Sequence, residues 1–317
     1  MHTKNQLYLQ HPLLDSVAIN QCIAQGMRWN GHTLPWPMRE IHQGSTGDIK
    51  SQQQGSGIDL CEIRPYQPGD EIRHINWRAT ARTGRTQVRV FHKDLTPHCY
   101  FLIDRRASMR FGTRIRLKVT QAARLSIFLA SWEAQKGNAL GGLVLNETPR
   151  WLPPINGLQA VHQLAQLASS ACPPSNTAPD PDPELNFQYS LSLLNEKIPP
   201  GSHVYLLSDF YDLDREMKSQ LHQLGQQHHV LAIGIYDSAE QLLPNAGFLK
   251  LFWGKQKSLK NSPLINTCDR DIQYSYHLKF EKKRKHIEQL FKKTAISYIS
   301  VCSQSSDIEE ALKTSPI

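Results

Sequence analysis

The chain has 317 residues, 39% hydrophobic and 20% charged, which is enough apolar material for a real core and excludes a disordered chain. Lys and Arg outnumber Asp and Glu by 36 to 28, a net charge of +8 that points to acidic partners: an acidic protein face, nucleic acid or an anionic membrane. The opening MHTKNQLYLQHPLLDS has no continuous apolar run, and no stretch approaches the roughly 18 apolar residues of a membrane helix, so a cytoplasmic chain without leader or membrane span is expected.

Residues 1–54 read as an N-terminal arm, with a short helix from Asp15 to Gln25 and a Pro-rich packing stretch, Met27 to Pro37, that carries two tryptophans. Gly44, Gly47, Gly55 and Gly57 mark the handover to the next block. Residues 55–97 form a small β-rich module, in which IDLCEIRPY and TQVRVFHKD alternate apolar and polar positions around Pro68-Gly69-Asp70. From residue 98 to 317 short apolar runs alternate with helical patterns. CYFLID, ALGGLVL, SHVYLLSD and HVLAIGIYD are buried strands, and residues 247–253 and 296–302 are further strands. Helices are expected over Thr113–Gln135, Asn156–Ala171, Glu184–Glu196, Leu213–Gln227 and Asp271–Lys293. This alternation predicts a doubly wound α/β domain, with a mostly parallel sheet and helices on both faces, preceded by the small β-containing module. The six cysteines are scattered with no C-x-x-C pair, so they read as buried apolar residues rather than disulfides or a zinc site.

Ligands of open parallel sheets lie beyond the carboxyl ends of the strands. Two acids at such ends are taken as candidates: Asp104 after CYFLI and Asp209 after VYLLS. Each could cap a following helix or turn. The pair, with Ser108 four residues after Asp104, favours a shared site.

Residues 55–113 carry an ordered set of motifs: Arg64, Tyr66, Gly69 and Asp70; then Ile75, Trp77, Ala81 and Arg82; then Asp104, Ser108 and Met109. In this the chain resembles the bacterial domain-of-unknown-function family numbered 58, which shows R-x-Y-x-x-G-D, I-x-W-x-x-x-A-R and a strand running into D-x-S-x-S-M. That family resembles von Willebrand A domains, so the resemblance implies a von Willebrand A-like fold. It also implies a Mg²⁺ site of hard oxygen ligands drawn from Asp104, Ser108 and Asp209. The first Ser of that motif is replaced here by Arg106, and no Thr precedes the helix at Asn156. A guanidinium cannot be a metal ligand. Two outcomes are open: Arg106 folds onto Asp104 and Asp209 in place of the ion, or it points away and leaves a crippled site. The first is favoured because two buried carboxylates without a cation are costly. No cofactor is expected, with Mg²⁺ the ion the site would take if it took one.

The resemblance further implies a non-enzymatic adaptor or co-chaperone for a MoxR-type AAA+ ATPase or its client, docking through Asp104 to Gly112 and Asp209. Arg64, Tyr66, Gly69, Asp70, Trp77 and Arg82 are then structural or partner-facing signature residues. Arg73, Arg78, Arg82, Arg85, Arg89 and Lys93 follow one another without an acidic residue, and Arg105, Arg106, Arg110, Arg114, Arg116 and Lys118 form a second run. Arg82, beside Trp77, reads as structural and the other arginines as candidates for an acidic partner surface. The alternative is a nucleic-acid-binding protein, for which basic residues and aromatics are the usual ingredients. Trp77, Phe91, Tyr100 and Phe101, however, sit at strand-like positions expected to be core. Catalytic signatures are lacking: no G-x-S-x-G, phosphate loop or H-E-x-x-H occurs. The histidines, His228-His229 among them, read as surface or strand-end residues.

Overall fold

The computed structural model describes residues 12–30, 34–36, 60–67, 70, 72–91, 98–146, 149–172, 183–211, 213–250 and 264–313. The chain divides into two compact units, His42–Thr96 and the combination of Met1–Ile41 with Pro97–Ile317.

The larger unit is built on a six-stranded sheet: β3 (His98–Asp104), β4 (Ala139–Leu145), β5 (Pro149–Ile155), β6 (His203–Ser208), β7 (His229–Tyr236) and β10 (Ser297–Cys302), in the spatial order β10-β7-β6-β3-β4-β5. All neighbours are parallel except β5, which runs antiparallel to β4 at one edge. β5 is not among the strands expected from sequence, and its sequence PRWLPPI carries three prolines. An edge strand tolerates them, since half its N–H groups have no ladder partner to lose.

Along β3 the odd residues Cys99, Phe101 and Ile103 face one core and the even residues Tyr100 and Leu102 the other. The first core is covered by four helices: α1 (Ser16–Arg28), α3 (Lys118–Gln135), α4 (Leu158–Ser169) and α9 (Ile308–Lys313). The second is covered by α5 (Pro183–Lys197), α6 (Arg215–Gln227) and α8 (Arg270–Lys293). The N-terminal stretch does pack: Asp15 caps α1 by accepting from Ala18 N at 2.7 Å, and the Trp29 ring sits 5.1 Å from Phe128 and 5.0 Å from Trp132.

Gly142 in β4 has φ +150°, and a Cβ there would lie 2.1 Å from the carbonyl oxygen of Phe101. β3 and β4 approach too closely at this point for any side chain. Gly142→Ala is therefore expected to destabilise the fold by about 2–4 kcal/mol, through backbone strain and forced separation of β3 from β4. A urea titration checks this, and a loss below about 1 kcal/mol would show that the strands yield.

Several boundaries move. The helix expected from Thr113 begins at Lys118, because Thr113 to Leu117 form a loop closed by Lys118 N donating to Phe111 O at 2.8 Å. The strand expected over 247–253 is the three-residue β8 (Phe248–Lys250), paired antiparallel with β9 (Leu264–Asn266); residues 251–253 lie outside the described residues. Between β7 and β8 runs α7 (Ser238–Gln241), whose N-cap Asp237 and Glu240 form a reciprocal capping box.

In the smaller unit β1 (Leu60–Pro65) pairs antiparallel with β2 (Gln87–Phe91), and α2 (Trp77–Thr83) precedes β2. Asn76 caps α2 through Ala79 N at 3.2 Å. The Arg64 guanidinium grips Asp70 with two hydrogen bonds of 2.9 and 2.8 Å, and Gln67 N donates to the same carboxylate. Those two signature residues therefore hold a turn. Gly69, and the side chain of Phe91, lie outside the described residues. Tyr100 and Phe101 are buried as expected, but Trp77 is not a strand residue and not core: it opens α2 and is 69% exposed. Its alternation with Ile75 mimics a strand, but Asn76 starts a helix between them.

Candidate functional site

Strands β3 and β6 are adjacent, and their carboxyl ends carry the two candidate acids. The chain leaves β3 for β4 on one side and β6 for β7 on the other, so Asp104 and Asp209 stand where strand order reverses. Asp104 is fully buried. Among the described residues its carboxylate accepts from Arg106 N at 3.0 Å, Arg106 Nε at 3.0 Å, Arg106 Nη2 at 2.8 Å and Ser208 Oγ at 2.6 Å. The Arg106 guanidinium also lies 4.5 Å from the centre of the Phe187 ring, a cation–π contact that fixes its plane.

Asp209 is held by a different cation. Lys118, the first residue of α3, places its Nζ 2.9 Å from Asp209 Oδ2 and 2.7 Å from Glu240 Oε1. Burial alone would depress the Lys118 amine, but Asp209 and Glu240 outweigh it and raise its pKa above the ordinary lysine value. For Asp209 burial pushes the pKa up, and Lys118 and then Arg106 pull it below the ordinary carboxylate value. The next residue, Phe210, has φ +49°, a conformation costing a non-glycine residue about 1 kcal/mol. Its buried ring, 4.8 Å from that of Phe291, holds the turn in place.

The network continues to β7. Asp237, at the end of that strand, accepts from Thr113 Oγ1 at 2.6 Å, Ser303 Oγ at 2.8 Å and Ala239 N at 3.0 Å. Burial raises its pKa, and these bonds more than offset it and leave the carboxyl below its ordinary value. Arg105 turns the other way: its guanidinium donates to Leu167 O at 2.6 Å and to the Ser170 carbonyl at the carboxyl end of α4, where the helix dipole favours a cation. Arg110 Nε reaches Arg105 O at 3.0 Å.

The favoured outcome for Arg106 is thus half met. It closes on Asp104, while Lys118 closes on Asp209. Ser108 is exposed and outside the described contacts of Asp104. In this arrangement the oxygens a hard cation would use are occupied by nitrogen and hydroxyl donors. Glu240, Asp237, Thr113 and Ser208 are not among the candidate residues of the sequence, and Lys118, expected in a partner-facing basic run, is buried in the site together with Arg105, Arg106 and Arg110. The available signal was HVLAIGIYD, a third buried-strand run that ends in an acid, Asp237; Lys118 is one of three alternating charges with Arg114 and Arg116.

Around this edge Ile115 (64% exposed), Phe111 (41%) and Tyr211 (39%) stand outward, and Arg114 is exposed beside them. At the opposite edge Glu133 is buried and accepts from Tyr205 OH at 2.6 Å, a bond internal to the core. His228, expected at the surface or at a strand end, directly precedes β7 and is buried there.

Sheet order, a single antiparallel edge strand and helices on both faces define a doubly wound, mostly parallel α/β domain. The chain belongs to the family described as "Protein of unknown function DUF58", whose model matches residues 62–286. It is 28% identical over 203 residues to uncharacterized proteins of Mycobacterium bovis and Mycobacterium tuberculosis, a match that covers 63% of this chain. The chain spans 62% of the length of these relatives.

Among solved structures it is similar to BatB from Bacteroides thetaiotaomicron (14% identity, TM-score 0.37, 63% of this chain and 98% of that one). It is also similar to an aerotolerance-related membrane protein from Bacteroides fragilis (11%, 0.38, 68% and 96%) and a von Willebrand factor type A protein from Catenulispora acidiphila (13%, 0.31, 48% and 35%). The expected cytoplasmic location does not stand, because structural neighbours include proteins described as membrane proteins. Among the described residues no helix is long and apolar enough to cross a membrane.

Proposed function

We propose that this protein is a non-enzymatic adaptor or co-chaperone that binds a MoxR-type AAA+ ATPase or its client through the carboxyl edge of the sheet, without a metal ion. The observation that carries this reading is the pairing of Asp104 with Arg106 and of Asp209 with Lys118. Those pairs supply internally the positive charge that a divalent ion would bring. The edge then contacts a partner with its surface residues rather than through a shared ion. Ile115, Phe111 and Tyr211, on loops pinned by Thr113–Asp237 and by Tyr211 N donating to Asp209 Oδ1, are rigid apolar anchors for such a contact.

Calorimetric titration of the protein with Mg²⁺ is expected to show no binding at micromolar concentration. Micromolar binding that disappears in Asp104→Ala would overturn the metal-free reading. Binding to a purified, nucleotide-free MoxR-type ATPase from the same cell is expected to survive chelation of Mg²⁺ and to weaken in Ile115→Glu. No association with that ATPase, together with recovery of nucleic acid at moderate salt, would overturn the adaptor reading.

A further inference from the structure

The smaller unit carries a surface that the sheet edge does not use. Ile72 is 71% exposed, Trp77 69% and Tyr66 38%, a concentration of large apolar side chains in twelve residues of chain, Tyr66 to Trp77. Backbone hydrogen bonds gather them: Tyr66 N donates to Thr86 O at 2.8 Å and Asn76 N to Gln87 O at 2.7 Å, so Tyr66 and Trp77 flank the start of β2. Ile75 N closes the turn on Ile72 O at 3.1 Å. Arg78 and Arg82 on α2, and Arg85 just before β2, are all exposed, and from Ile72 to Phe91 the sequence contains no acidic residue.

Trp, Tyr and Arg are the side chains that dominate binding energy at protein interfaces. Arginine forks match carboxylates bidentately, and the indole supplies large contact area at low entropic cost. Trp77 and Ile72 project as knobs at turn and helix start. They require an apolar socket on the partner, and the arginine collar requires carboxylates around it. We infer that Ile72, Trp77, Arg78, Arg82 and Arg85 form a second docking surface for an acidic protein segment that bears apolar residues. This rests on the protein-binding reading above but engages a different unit of the chain.

The probes are a labelled acidic peptide with a central Leu-Phe pair, the same peptide with both apolar residues changed to Ser, single-stranded DNA, and phosphatidylserine vesicles, each titrated against the full chain. The Leu-Phe peptide is expected to bind more tightly than its Ser counterpart. Trp77→Ala should weaken it about thirtyfold, as for an interface hot spot. Arg78→Glu with Arg82→Glu should abolish binding, and Ile115→Glu should leave it unchanged. All these positions are exposed, so circular dichroism and the thermal midpoint should not move. Equal binding of the two peptides, indifference to Trp77→Ala, or tighter binding of DNA or vesicles with the same residue dependence would overturn the inference. If the peptide fails to bind while the ATPase still binds through Ile115, this surface is refuted and the adaptor reading stands. Peptide binding without ATPase binding gives the reverse.

Discussion

Replacing Lys118 by methionine is expected to destabilise the protein by about 3–5 kcal/mol, the usual cost of removing one partner from a buried ion pair. The Lys118 side chain is 2% exposed and that of Asp209 5%, so water cannot take over solvation of the orphaned carboxylate. Glu240, 28% exposed, adds less, because solvent already screens it. Adding Asp209→Asn to the methionine variant should recover most of the loss, since the uncompensated charge is then gone. Urea denaturation at constant m-value measures both. A single-variant loss under about 1 kcal/mol, or a double variant no better than the single, would refute this account.

The pH dependence has a definite sign. Lys118 is raised in the folded state, so its contribution is complete below its ordinary value of 10.5 and disappears as pH rises through the folded value. Asp209 is lowered, so its contribution is complete above 3.8 and disappears as pH falls through the folded value.

The second large effect lies at the amino edge. His228 is buried between α6 and β7, and neither ring nitrogen has a hydrogen-bond partner among the described residues. Burial, and then neighbouring His229, push its pKa down to about 4 from 6.5. The folded state therefore holds this imidazole neutral while the unfolded chain protonates it. Stability from this group is complete above pH 6.5 and falls as pH drops towards 4. At about 1.4 kcal/mol per pH unit the cumulative loss approaches roughly 3 kcal/mol. His228→Phe keeps a ring of similar size and removes both unpartnered nitrogens. It should flatten much of that acid slope, leaving the smaller share of His203 and His229, whose values burial also lowers. Denaturant midpoints across this range test it. An unchanged slope in the variant would assign the acid sensitivity elsewhere.

The fold was legible where local patterns carry tertiary information. Strands β3, β4, β6 and β7 are runs buried on both faces, and only a parallel sheet between helix layers satisfies four of them. Arg106 was legible for a similar reason: it sits two residues from the acid it neutralises, so its reach is local. Lys118 meets Asp209 across 91 residues, and nothing in either neighbourhood announces the other. Ser108 shows the converse error, a motif position kept in sequence but turned to solvent by the 3₁₀ turn Ala107–Arg110. Trp77 was misread because alternation with Ile75 suits both a strand and a capped helix start, and the choice depends on the Asn76 side chain.

At the carboxyl edge four carboxylates, Asp104, Asp209, Asp237 and Glu240, stand among four cations, Arg105, Arg106, Arg110 and Lys118. Seen from beyond a Debye length of about 8 Å, such a cluster is close to electrically silent. The chain's surplus of +8 therefore resides outside this cluster, on the exposed Arg114 beside it and on the exposed arginines of α2 and β2 among others. At the proposed docking surface, long-range attraction of an acidic partner would fall to those arginines. Rising ionic strength should slow first encounters while leaving the desolvated edge nearly untouched, so capture and retention of a partner would answer to different solution conditions.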